Sequence, residues 1–211
     1  MKRILFISFI LVITGCSSSG LVNLDICKKH VEDYYENGSY DKEMNNIIDN
    51  AINKLSNVEL TEHSAIVFDV DETLLSNIEH MKEMGYGYQP ELWHEWVLKA
   101  DANVISQTKR LYDWAVDNNV HVILITGRSA DEYNATLKNL NDDGITVIDT
   151  LITRSAATQN ATAVNYKEME RTLLTKNGYN IIACVGDQQS DIEGNYTGLK
   201  IKLPNYVYLI E

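Results

Sequence analysis

The pentapeptide Asp69-Val70-Asp71-Glu72-Thr73 follows directly on the apolar run Ala65-Ile66-Val67-Phe68. A short run without polar alternation suits a strand covered on both faces, so it predicts a buried parallel strand. Were the strand to continue, the aspartates at i and i+2 would share one face and repel each other. Just past the strand's end they are tolerated where a cation, or a reaction, needs both. The same pattern recurs near the other end of the chain, where Ile181-Ile182-Ala183-Cys184-Val185 leads into Gly186-Asp187-Gln188-Gln189-Ser190-Asp191. Two acidic clusters that each end a buried strand meet on one edge of a parallel sheet, where open α/β folds place their ligands.

The intervening sequence alternates strands and helices. Residues 22–60 read as two peripheral helices. The first carries Ile26, His30 and Tyr34 on one face and is broken at Asn37-Gly38-Ser39. The second carries Met44, Ile47, Ile48, Ala51, Ile52 and Leu55 at i, i+3, i+4 spacing. Between Glu72 and about Asn103 there is no strand signal, and the stretch holds Tyr86, Tyr88, Trp93 and Trp96 around Gly85-Tyr86-Gly87. It reads as a small helical cap inserted after the first strand, with these aromatic residues packing its own core; the alternative is that one or two of them stack on an aromatic leaving group or nucleobase over the strand ends. Further strands are expected at 120–125, 146–152, 181–185 and 199–203, with helices at 105–117, 130–140 and 163–176. Asn177-Gly178 stops the last of these helices. Short connections between alternating elements predict an α/β fold, a doubly wound parallel sheet of the Rossmann type.

Two more polar features fall on the same edge. Thr126-Gly127-Arg128 directly follows the second strand, so the Thr126 hydroxyl and the next backbone N–H groups suit a phosphate oxygen. Arg128 is balanced between a substrate contact and a structural ion pair. Lys167, early in the helix after the third strand, is a candidate counter-ion for phosphate. His80, His94 and His121 show no partner pattern and read as structural or exposed.

The first sixteen residues stand apart. Lys2-Arg3 and the apolar stretch Ile4 to Ile13 form a signal-peptide pattern too short to span a bilayer. It ends in Ile13-Thr14-Gly15-Cys16, which resembles the bacterial lipoprotein cleavage box, with Cys16 as the lipidated first mature residue. Ser17 after the cysteine resembles lipoproteins sent to the outer membrane, and residues 17–24 read as a flexible tether. The formal charge is −12; the leader holds Lys2, Arg3 and no acidic residue, so the mature body carries −14. So acidic a body argues against a nucleic-acid groove and requires a local positive site for any anionic substrate. Cys27 and Cys184 remain beside Cys16, and their pairing is left open. The Asn-x-Ser/Thr triplets at Asn37, Asn134, Asn160 and Asn195 are chance matches if the chain is a bacterial lipoprotein.

DVDET, TGR, Lys167 and GDQQSD, in this order, resemble the four motifs of the haloacid-dehalogenase-like phosphohydrolases. DVDETLLSN, Trp93 and Trp96, ITGRS, YKEMER and the ending GDQQSD…KLPNYVYLI narrow the resemblance. It is to the subfamily IIIB acid phosphatases, which include bacterial lipoprotein acid phosphatases and plant vegetative storage proteins. A departure is Gln189, where plant members often carry tryptophan. The resemblance implies a phosphatase domain over residues 25–211, with a helical extension at 25–60 and a cap at about 74–103. It implies Asp69 as nucleophile and Asp71 as general acid and base. It also implies one Mg²⁺ held by Asp69, the Asp71 backbone carbonyl and Asp187, with Asp191 supporting that shell. Thr126, Gly127 and Lys167 would bind the transferring phosphoryl group. The expected enzyme is a Mg²⁺-dependent acid phosphatase for small phosphomonoesters, such as nucleoside monophosphates or aryl phosphates, anchored in the cell envelope by lipid. The alternative is a catalytically quiet storage, binding or surface-interaction protein on the same scaffold. A dehalogenase would lack Asp71 and need no metal, and phosphotransfer would differ only in the acceptor. The natural substrate, the pH optimum and association into a homodimer are left open.

Overall fold

The computed structural model describes residues 20–210. The expected leader and the expected lipidation site, Cys16, lie outside the described residues. Among those described, no helix is long and apolar enough to cross a membrane.

Five parallel strands form the central sheet: β1 (Ser64–Phe68), β4 (His121–Ser129), β5 (Thr150–Arg154), β6 (Asn180–Gly186) and β7 (Leu199–Lys202), in the spatial order β5-β4-β1-β6-β7. The chain winds outward from β1 in one direction, then returns to lay β6 on its other side. This puts the topological switch point between β1 and β6, the two strands that end in acidic clusters. Register holds their ends level, Phe68 opposite Val185 on one side and Leu124 on the other.

Alternation along β1 divides the core. Ile66 and Phe68 face one layer, with Val122, Leu124, Ala183 and Val185 from the neighbouring strands. Helices α2 (Ser39–Leu55), α5 (Ser106–Asp117) and α6 (Tyr133–Asp142) supply Met44, Ile48, Leu55, Leu111 and Leu140 to this layer. Ala65 and Val67 face the opposite layer, where α7 (Ala163–Lys176) supplies Tyr166 and Leu174 and the short α8 (Gln189–Ile192) supplies Ile192. A residue closely covered on both sides leaves no room for water, so the strands need no polar alternation.

Four elements differ from expectation. Helix α1 (Leu24–Glu36) is peripheral, with no buried residue, but α2 is a core element whose Met44, Ile48, Ala51 and Leu55 are all buried. The insertion is not purely helical: besides α3 (Ile78–Glu83) and α4 (Pro90–Lys99), its ends pair as the two-residue antiparallel strands β2 (Leu75–Ser76) and β3 (Asn103–Val104). Pairs that short carry no periodicity to detect. The third strand covers Thr150–Arg154 rather than 146–152; Ile145 is buried in the loop before it, and the Asp149 N–H donates to the Val122 carbonyl at 2.9 Å where the pairing with β4 starts. The helix expected at 130–140 opens as a 3₁₀ turn, Ala130–Glu132, before α6.

Candidate active site

Val70 closes the chain reversal after β1: its carbonyl accepts the backbone N–H groups of Leu74 and Leu75, each at 2.9 Å. The turn places Glu72 at φ +51°, a left-handed conformation that a residue with a Cβ rarely adopts. Asp69, whose N–H donates to the Val185 carbonyl at 2.9 Å, is buried beside β6.

Around Asp69 the structure gathers the charges that the sequence separates widely. The carboxylate oxygens of Asp69, Asp187 and Asp191, all buried, lie within 4.8 Å of one another. The Lys167 ammonium, on α7, donates to Asp69 Oδ1 at 2.6 Å and also to Asp191 Oδ1. Burial pushes the Asp69 carboxyl well above the usual carboxylate range; Lys167 pulls it down, while Asp191, Asp187 and Asp71 add to the rise. Burial also raises Asp187, to about 6, and Asp191 adds to it. Burial alone would lower Lys167, but Asp191 and Asp69 outweigh it and hold the ammonium charged.

Counted as fully ionised, three carboxylates against one ammonium carry a formal excess of two negative charges, the charge that one divalent cation would offset. The donors are all carboxylate oxygens, which suit a hard cation such as Mg²⁺. Asp187 is held in place by three donors: its Oδ2 accepts from Gln188 Nε2 at 2.6 Å and Asn205 Nδ2 at 2.7 Å, and its Oδ1 from the Thr73 hydroxyl at 3.3 Å. Asp191 Oδ2 accepts the Gln188 N–H at 2.8 Å. The carboxylate of Asp191 therefore belongs to the same tight group as those of Asp69 and Asp187.

Asp71 is arranged differently. Its carboxylate is gripped by Arg128, with Nη2 2.7 Å from Oδ1 and Nε 3.1 Å from both oxygens. Arg128 is itself buried and donates from Nη1 to the Thr136 hydroxyl at 3.0 Å. In this structure Arg128 is thus an ion-pair partner of Asp71. Thr126 is fully buried, and its hydroxyl accepts the Arg128 N–H at 3.1 Å. Strand β4 runs on through Ser129, so Thr126-Gly127-Arg128 continues the strand, with an irregular register against β5. Gly127 is exposed, with open space where a Cβ would stand.

Four polar residues beside the site were given no role from sequence. Glu72 is buried and accepts from the Asn77 N–H at 2.7 Å and from the Tyr208 hydroxyl. Burial pushes its carboxyl up to about 8, Asp71 and Asp187 adding to the rise. Asn77 donates to Asp71 Oδ1 at 3.0 Å. Asn205 and Tyr208 come from the C-terminal segment, which is tied across the site by Gln188 and Ile210. All four lie within motifs DVDETLLSN and KLPNYVYLI, but only the folded chain shows which of their polar side chains turn toward the aspartates.

The aromatic residues of the insertion do not act as one core. Trp96 stacks on His80 with centroids 5.1 Å apart, and Trp93 is tilted toward both His80 and Tyr88. Tyr86 reaches Glu32 of α1 at 3.3 Å, and Tyr88 is 67% exposed, against the expectation that it packs inside the insertion. His94 pairs with Glu132 at 3.0 Å and His121 with Asp149 at 2.6 Å, so both histidines have carboxylate partners. Cys27, exposed, and Cys184, buried, are free thiols.

The fold and the acidic edge define an open α/β protein with its ligand site at the switch point, where buried carboxylates and a lysine converge. Residues 17–211 match the HAD superfamily, subfamily IIIB (acid phosphatase), and the chain belongs to that family. It is 31% identical over 191 residues to the stem 28 kDa glycoprotein of Glycine max, covering 88% of this chain and 75% of that protein. It is 30% identical over 190 residues to acid phosphatase 1 of Solanum lycopersicum, covering 87% and 74%. The class C acid phosphatase from Bacillus anthracis has the same fold, with a TM-score of 0.73 at 22% identity over 88% of this chain and 86% of that one.

Proposed function

We propose that the chain is a divalent-metal-dependent phosphomonoesterase working through a phosphorylated Asp69. The observation that carries this is Asp69 itself: a buried carboxylate at the switch point, bound to Lys167 and enclosed by Asp187 and Asp191. A carboxylate so placed has no solvent to stabilise it and every reason to be held for chemistry.

Lys167 and the buried edge would draw a phosphate dianion toward an otherwise acidic surface. An Asp69 carboxylate oxygen then attacks phosphorus as the ester P–O bond breaks. The electron pair of that bond leaves with the alcohol oxygen, which takes a proton from Asp71. In the second half Asp71 accepts a proton from water, whose oxygen attacks phosphorus and releases Asp69. Thr126 and Gly127 would hold the phosphoryl oxygens through the hydroxyl and backbone N–H groups. Asp69, Asp187, Asp191 and the Asp71 carbonyl are the groups available to hold Mg²⁺, which when bound supplies charge neutralisation for the phosphoryl group.

We infer small monoesters, nucleotide or aryl, as substrates; what supports this is that the insertion carries an exposed Tyr88 with its ring 6.3 Å from that of Trp93, aromatic surface on which a leaving group would stack. We also infer an envelope lipoprotein; the support is the leader and Ile13-Thr14-Gly15-Cys16 alone. To test the mechanism, the protein is quenched in acid during turnover and its peptides are weighed. A phosphoryl group mapped to Asp69 is expected; turnover with no phosphorylated peptide, or with phosphate on another residue, overturns the covalent route.

A further inference from the structure

Asn77 is fully buried and uses every polar atom it has. Its N–H donates to Glu72 Oε1 at 2.7 Å and its carbonyl accepts the Met81 N–H at 2.9 Å. Its side-chain Nδ2 donates to Asp71 Oδ1 at 3.0 Å and lies 3.4 Å from Glu72 Oε2. Its Oδ1 accepts the indole N–H of Trp96 at 2.8 Å. An indole nitrogen can only donate, so Trp96 fixes which end of the amide is oxygen and turns the NH₂ toward the two carboxylates. Trp96 belongs to α4 of the insertion and is itself held by stacking on His80, with planes 6° apart.

The consequence for Asp71 is an asymmetry between its oxygens. Oδ1 receives Asn77 Nδ2, Arg128 Nε and Arg128 Nη2; Oδ2 has Arg128 Nε, shared with Oδ1. Oδ2 is the oxygen left able to give and take a proton.

We propose that Asn77 and Trp96 are positioning residues for proton transfer by Asp71, so that α4 of the insertion reaches the chemistry through one indole N–H. This rests on the phosphatase reading and on Asp71 as its acid. Proton donation matters most when the leaving group is a poor one. An alkyl oxygen needs the proton as the P–O bond breaks, whereas a nitrophenolate leaves without it.

Turnover of p-nitrophenyl phosphate and of glycerol phosphate is therefore compared in wild type, Asn77→Asp, Trp96→Phe and Asp71→Asn at saturating metal. Asn77→Asp keeps the acceptor for Trp96 but cannot donate to Asp71. Trp96→Phe keeps a ring against His80 but loses the N–H. In both variants the aryl-to-alkyl ratio of kcat is expected to rise about tenfold, since a misplaced proton donor is a large loss at constant binding. In Asp71→Asn it should rise further, by on the order of a hundredfold. If Asp71→Asn shifts the ratio but neither other variant does, or if those two slow both substrates equally, the inference fails and the phosphatase reading stands. If Asp71→Asn leaves the ratio unchanged, the acid role itself is wrong, and the inference falls with it. Should Asn77→Asp not fold, Trp96→Phe decides alone.

Discussion

The Lys167 ammonium sits 2.6 Å from Asp69 Oδ1 and bonds Asp191 Oδ1 as well, so one cation bridges the end of β1 and the start of α8. Both partners are buried, and neither has a solvent to fall back on. Lys167→Met removes the ammonium and leaves the carboxylates facing one another. Breaking a buried pair from one side costs about 3–5 kcal/mol, so metal-free Lys167→Met should unfold well below wild type. Added Mg²⁺ should restore much of the difference while turnover stays lost. Thermal unfolding with and without Mg²⁺ reads both effects; a variant as stable as wild type in EDTA would contradict the pairing.

The carboxylate group predicts that metal binding stabilises the fold. A ligand at a hundred times its dissociation constant adds about 2.7 kcal/mol. Asp187 is raised to about 6 by burial and by Asp191, so protons compete with the metal as pH falls. The melting-temperature gain on adding Mg²⁺ should be full at pH 8 and shrink toward pH 5. Asp187→Asn should lose most of the gain at every pH, and an Asp187→Asn protein that gains as much as wild type would remove Asp187 from the metal site.

Gly186 joins β6 to the second acidic cluster, and a Cβ there would lie 2.1 Å from Asp191 Oδ2. The carboxylate that would have to move also bonds Lys167 and the Gln188 N–H. Gly186→Ala should therefore cost about 1–3 kcal/mol by overpacking and lower turnover through a displaced Asp191. Chemical denaturation and kcat measure the two; a fully active, fully stable variant would mean that Asp191 has room to retreat.

His121, at the opposite end of the sheet, gives an independent check on the electrostatics. Its Nδ1 lies 2.6 Å from Asp149 Oδ1 and its Nε2 3.0 Å from the Glu62 carbonyl, an arrangement in which an imidazolium donates twice. The Asp149 hydrogen bond raises its pKa above the ordinary 6.5, against the pull of burial. A histidine raised on folding stabilises fully below 6.5 and loses that contribution as pH rises through the folded value. The stability gap between wild type and His121→Gln should be widest in mild acid and close in alkali, and NMR should place the His121 midpoint above 6.5. A midpoint below that value would contradict the ion pair.

Strands β1, β4 and β6 are legible because burial on both faces writes itself as unbroken apolar runs, and α7 because Asn177-Gly178 ends it cleanly. The strand order then brings Asp69, Thr126 and Asp187 to one edge without further information. Arg128 is not legible in the same way. A guanidinium after a strand suits phosphate as well as carboxylate, and only the packed position of Asp71 shows which it meets. Tyr208 is hidden for another reason. Its approach to Glu72 depends on the path of an irregular C-terminal segment, which carries no periodicity. The same holds for Asn77, whose role depends on an indole from an inserted helix.

The most direct test is phosphate release by the chain from Ser17 onward, from p-nitrophenyl phosphate and a panel of nucleoside monophosphates, with Mg²⁺ or with EDTA, beside Asp69→Asn. Turnover that needs the metal and disappears in a folded Asp69→Asn protein is the predicted result. Equal turnover in EDTA, or an Asp69→Asn protein as active as wild type, would contradict the account.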